Sequence, residues 1–134
     1  WSGRLNLKPE RTERWRNVLN NLSPLPTDSN GYYITYQGMV DMWEKYNYEH
    51  PAITGIYGWL PGEGVDKDIF ARTYYRVLKD WQMNRVWGWD YPMMAMAAAR
   101  LGDREQAVEL LLADSHKFGF DEHGLATTWP LFPR

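Results

Sequence analysis

The sequence predicts an all-α protein of helical hairpins that form part of an (α/α)6 toroid, with a short extended segment near residues 32–36. Three observations carry that prediction. Apolar residues recur at helical spacing in five separated segments. Those segments alternate between helices with one apolar stripe and helices that are apolar nearly all round. Proline and glycine clusters divide them, and no strict period marks an ordinary repeat array. Helices wet on one side belong to an outer ring and helices dry all round to an inner one, so a chain alternating between the two builds a ring of hairpins.

Each element has its own local reason. Pro9 and Glu10 open the first helix, Glu10 and Glu13 sit near its positive end, and Trp15, Val18, Leu19 and Leu22 follow at helical spacing. Residues 23–31 hold two prolines and an Asp-Ser-Asn-Gly cluster, which makes a loop. The aromatic and β-branched run 32–36 reads as extended. Met39, Val40, Met42, Trp43 and Tyr46 mark a short helix that fails by Asn47. Pro51 suits a first helical turn, Ile53, Ile56, Tyr57 and Leu60 are its apolar positions, and Pro61-Gly62 ends it. Residues 66–83 form the cleanest helix: Asp66 is the expected N-cap, and Ile69, Phe70, Thr73, Tyr74, Val77, Leu78 and Trp81 form one stripe. Residues 91–101 are expected to be helical and buried on every side. After the Gly102-Asp103 turn, residues 104–117 read as a further amphipathic helix with Ala107, Leu110, Leu111 and Ala113 inward. An aromatic loop containing Trp129, Pro130 and Phe132 closes the sequence.

The totals narrow the function. A length of 134 residues suits one domain. Fifteen Lys and Arg against seventeen Asp and Glu give a net charge of -2 with no basic run, so neither a nucleic-acid surface nor a polybasic membrane patch is indicated. No cysteine is present, which removes disulfides, thiolate metal sites and a thiol nucleophile. The longest apolar stretch is too short to span a bilayer, and the N-terminal residues show no signal-peptide pattern, so any export signal is expected outside this chain. Eight Trp, nine Tyr and four Phe are more rings than a small core usually uses. Indole pairs a wide apolar face with one N–H donor, which suits a surface for flat, hydroxyl-rich ligands; large side chains filling a helical core are the plainer alternative.

The chemistry-bearing residues cluster ahead of the two predicted inner helices. His50 precedes the one opening at Pro51, and Trp87, Trp89 and Asp90 precede the one opening at Tyr91. Inner helices of successive hairpins run parallel, so these four residues are expected on one cavity wall, with Trp129 leading into a third inner helix at the same face. Aromatic faces stack on the C–H faces of sugar rings while Asp and His bond hydroxyls, so an oligosaccharide or polysaccharide is the expected partner. Asp90 has three readings: an ordinary N-cap, an acceptor for a sugar hydroxyl, or a catalytic acid or base. His50 is either a site contact or a structural hydrogen-bonding residue, and the following proline favours an extended backbone that aims its ring into the cleft. Trp87 and Trp89 are two residues apart, so one is expected to face the cavity and the other to pack between hairpins. Glu63 follows the far end of its helix and is not expected to pair with Asp90. His116 and His123 show no metal-ligand spacing, and no phosphate loop, nucleophile elbow or dinucleotide fingerprint is present, so no metal and no cofactor is expected.

Two motifs, HPAITGIYGWLPG at residues 50–62 and WGWDYPMMAMAAARLGDREQAVELLL at residues 87–112, resemble the C-terminal half of six-hairpin (α/α)6 glycosidases, nearest to glycoside hydrolase family 95 and its relatives. The matching positions are His50, Gly58, Pro61 and Gly62, then Gly88, Trp89, Ala99, Arg100, Leu101, Gly102 and Asp103, over about half of the chain. The chain departs from the family pattern at Ala52 and Gly55, where the family has further histidines, and at Asp90, where it has serine. The resemblance implies a glycoside hydrolase, with this chain the C-terminal part of its catalytic domain, a periplasmic or extracellular setting, and the rest of that domain or a second copy covering the apolar hairpin sides. A helical interaction scaffold is the alternative, because AAARLGDREQAVELLL also resembles the opening of a tetratricopeptide unit.

Overall fold

A computed structural model describes residues 3–6, 10–115 and 117–125. Among them the fold is all-α: α1 (Thr12–Asn20), α2 (Met42–Lys45), a 3-10 turn (Ala52–Thr54) leading into α3 (Gly55–Gly58), α4 (Lys67–Asp80), α5 (Asp90–Leu101) and α6 (Arg104–Leu111). The run 32–36 forms no strand. Tyr33 makes an isolated bridge to Thr27, its N–H donates to Thr73 Oγ1 at 2.9 Å, and its hydroxyl accepts from the Asp66 N–H at 2.8 Å. The Thr73 side chain of α4 thus takes up a backbone hydrogen bond that a neighbouring strand would otherwise have made.

The longest helix, α4, begins where the sequence places it. Asp66 is extended (φ -74°, ψ 118°) and its carboxylate accepts from the N–H groups of Asp68 and Ile69, two donors that lack a partner inside the helix. Asp66→Ala is expected to lower stability by about 1 kcal/mol, and Asp66→Asn by much less, in urea unfolding followed by circular dichroism. The inner face of α4 presents Phe70, Thr73, Tyr74 and Val77, all fully buried.

Helix α5 is the centre of the molecule. It packs on α4 through the Tyr74 hydroxyl, which donates to the Met94 carbonyl at 3.0 Å. On another side it packs on α3 through glycine: a Cβ added to Gly58 would lie 2.8 Å from the Met93 carbonyl oxygen, so the backbones touch only because no side chain intervenes. On a third it meets α6 across a tight turn. Gly102 there adopts φ 88°, the Gly102 and Asp103 N–H groups close onto the Ala99 and Ala98 carbonyls in a Schellman arrangement, and Asp103 accepts from the Gln106 N–H to start α6. The expectation that α5 is dry all round is corrected on its remaining side, where Met96 is 48% exposed and Ala99 and Arg100 are also exposed.

Two other expectations are corrected. Helix α6 ends at Leu111 rather than running to residue 117, and only Ala107 and Leu110 are buried, while Leu111 is exposed and Ala113 half-buried. Helix α1 forms, yet none of its residues is buried, and Trp15, Val18, Leu19 and Leu22 of its stripe are exposed.

Candidate functional site

The α3 and α5 segments lie side by side and run the same way. At one end His50 meets Asp90. At the other, the Arg100 guanidinium lies 4.0 Å over the Tyr57 ring and donates to the carbonyls of Tyr57, Leu60 and Pro61. Those carbonyls lie in the last turn of α3 and just beyond it, where no further turn of helix satisfies them, so a cation beside them completes the hydrogen bonding.

The polypeptide ahead of His50 is held in place by backbone bonds. The Gln82 N–H donates to the Asn47 carbonyl at 2.8 Å, and the Nε1–H of buried Trp81 donates to the Glu49 carbonyl at 2.7 Å. His50 is therefore delivered to a fixed spot two residues before the 3-10 turn. Its Nδ1 lies 3.0 Å from Asp90 Oδ2 and 3.1 Å from Oδ1. Its Nε2 has no partner among the described residues, and the side chain is 35% exposed.

Asp90 is wholly buried at 0% exposure, and its Oδ2 also accepts from the Trp87 N–H at 2.8 Å. The carboxylate reaches back to the N–H three residues earlier, the acidic half of a capping box, so the simple N-cap reading is corrected. Burial raises its pKa above the ordinary carboxylate value, against the pull of the Trp87 N–H and of His50.

Three indoles line up beside this pair. The His50 ring lies 4.4 Å from Trp89 at 33° and 5.6 Å from Trp87 at 44°. On the far side of Trp89, Trp59 is stacked at 5.1 Å and 20°. Trp87 is 55% exposed and Trp59 52%, so indole surface faces solvent at both ends of the row. The expected division between Trp87 and Trp89 is corrected: both flank His50, because residues 87–89 lie in a turn entering α5 and do not alternate as a strand does.

His50, Trp87, Trp89 and Asp90 thus stand together. Glu63 is exposed in the loop beyond Pro61, which Arg100 holds at the opposite end of the α3–α5 pair. Trp129 lies outside the described residues. Trp59 is the ring that the sequence reading passed over. Its position follows from α3: a helical side chain leans toward the N-terminus, which lays the Trp59 ring over Gly55 four residues earlier, 3.6 Å from where a Cβ there would stand.

Compared with known proteins, the chain matches no family model, no curated protein and no solved structure. Among the described residues, no three His, Cys, Asp or Glu side chains converge to hold a metal ion, and no helix is long and apolar enough to cross a membrane.

Proposed function

We propose that the chain supplies a carbohydrate-binding wall of a glycoside hydrolase whose helical hairpins belong to an (α/α)6 ring. The observation that carries this reading is the row Trp87, His50, Trp89 and Trp59, with exposed indole at each end and, between them, an imidazole nitrogen that has no partner among the described residues. A pyranose has C–H faces for the indoles and hydroxyls for the nitrogen, which few other ligand classes combine. Glycosidic hydrolysis usually uses two carboxyl groups roughly 5–10 Å apart. Asp90 is enclosed and Glu63 sits at the far end, so the share of the work assigned to the described residues is binding. His50, Trp59, Trp87 and Trp89 meet the sugar, and Asp90 holds His50.

The test is calorimetric titration of the chain with neutral gluco-, galacto- and xylo-oligosaccharides. Trp59→Ala and Trp87→Ala, both at exposed positions, are expected to weaken binding about tenfold each with the circular dichroism spectrum unchanged. Affinity equal to that of the parent chain in both variants would remove the row from the site.

The scaffold reading has one observation in its favour, the exposed apolar stripe of α1. It requires peptide binding that survives both substitutions.

A further inference from the structure

Besides the indole N–H groups, which can only donate, the row of rings contains one nitrogen that can accept, His50 Nε2, and what that nitrogen offers depends on where the imidazole carries its proton. Three features of the site fix this. The Trp87 N–H, always a donor, points at Asp90 Oδ2 at 2.8 Å, so Oδ2 is an acceptor. His50 Nδ1 lies almost equally far from both carboxylate oxygens, 3.0 and 3.1 Å, the geometry of one N–H facing an ionised carboxylate. The carboxylate is fully enclosed, and no other side chain donates to it among the described residues, so an Nδ1 lone pair facing it would leave two acceptors in contact inside the protein.

We propose that Asp90 is a positioning residue that locks His50 in the Nδ1–H tautomer, leaving Nε2 as an acceptor that selects neutral sugars, through a donating hydroxyl, over sugars carrying a carboxylate. This rests on the carbohydrate reading above. A neutral pyranose offers a hydroxyl proton to Nε2 while its ring lies against Trp87 or Trp59. A uronic acid in the same pose would bring a carboxylate, which only accepts, against a nitrogen that also only accepts. Trp89, 4.4 Å from the imidazole, and Trp87, 5.6 Å from it, crowd the ring and restrict its turning over to exchange its nitrogens.

Asp90→Asn reverses the arrangement in a defined way. The Trp87 N–H still requires an oxygen opposite it, which places the amide NH2 in the position of Oδ1, facing His50 Nδ1. That NH2 donates toward Nδ1, and the amide oxygen in the place of Oδ2 is uncharged and already holds the Trp87 N–H, so the Nδ1–H form loses its ionised acceptor and the proton shifts toward Nε2. The nitrogen that faces the ligand changes from acceptor to donor while the shape of the site is kept.

The experiment uses the full 134-residue chain at about pH 8, with the His50 tautomer read from long-range 15N–1H NMR correlations and affinities measured for neutral xylo-oligosaccharides and for oligogalacturonates. The parent chain is expected to show Nδ1–H and to prefer the neutral sugar. Asp90→Asn is expected to show Nε2–H, to lose affinity for the neutral sugar by about tenfold, the scale of one hydrogen bond, and to gain affinity for the uronate. A merely structural role for Asp90 would weaken both ligands together and would not move the proton. An Nε2–H signal in the parent chain overturns the proposal outright. Expected tautomers with unchanged selectivity overturn its ligand half. Expected tautomers with no sugar bound by the parent chain sink the carbohydrate reading and leave the positioning role standing. If Asp90→Asn does not fold, the tautomer and selectivity of the parent chain decide alone.

Discussion

Tyr74→Ala is expected to cost about 3–5 kcal/mol of folding stability, measured by urea unfolding with an unchanged m-value. The ring is fully buried, it contacts Phe70 and Tyr75 along its own helix, and its hydroxyl crosses to the Met94 carbonyl in the middle of α5. Truncation removes the apolar contact, opens a cavity between α4 and α5, and leaves a buried carbonyl short of one donor. Tyr74→Phe separates these effects: it keeps the packing and is expected to cost only about 1 kcal/mol. Burial holds the phenol far above its usual pKa, so the donor survives into alkaline solution. Equal losses for the two variants would mean that the hydroxyl, and not the packing, joins α4 to α5.

Gly58→Ala is expected to cost about 1–3 kcal/mol, an unusual penalty for a helical position where alanine is normally preferred. The added methyl meets the Met93 carbonyl at 2.8 Å, and that atom is backbone, so no side chain can swing aside. Relief requires α3 to move off α5. Because Trp59 sits at the end of α3 and Trp89 at the start of α5, the same movement should disturb their stacking and weaken sugar binding. A stable Gly58→Ala protein with a raised melting temperature would show that the two backbones are not in contact.

How far these features could be read from the residues depends on whether their cause is local. Helix α4 was legible at both levels, since its N-cap and its stripe are properties of neighbouring residues. So was the start of α5 to within one residue. The meeting of His50 with Asp90, forty positions apart, followed from an argument about direction: adjacent inner helices running parallel bring their leading ends together. What escaped was the surroundings of each face. The stripe of α1 looks like that of α4 in sequence, yet nothing covers it among the described residues, because periodicity shows that a helix has an apolar side and not what lies against it. Residues 32–36 have strand chemistry, but their pairing with residues 26–28 stops at a single bridge and the Tyr33 N–H goes to Thr73 of α4. The cap reading of Asp90, one of its three, rests on acidic residues commonly opening helices, whereas its backward bond to Trp87 depends on the turn formed by residues 87–89.

The stacked pair of Trp59 and Trp89, with the His50 ring against the second of them, also makes the site visible without a label. Indole emission is sensitive to the polarity around it and to a protonated imidazole in contact, so a molecule settling on this row changes the light the protein gives off. The remaining tryptophans among the described residues lie elsewhere, with Trp43 and Trp81 enclosed in the interior, and they supply a steady background against which that change is read.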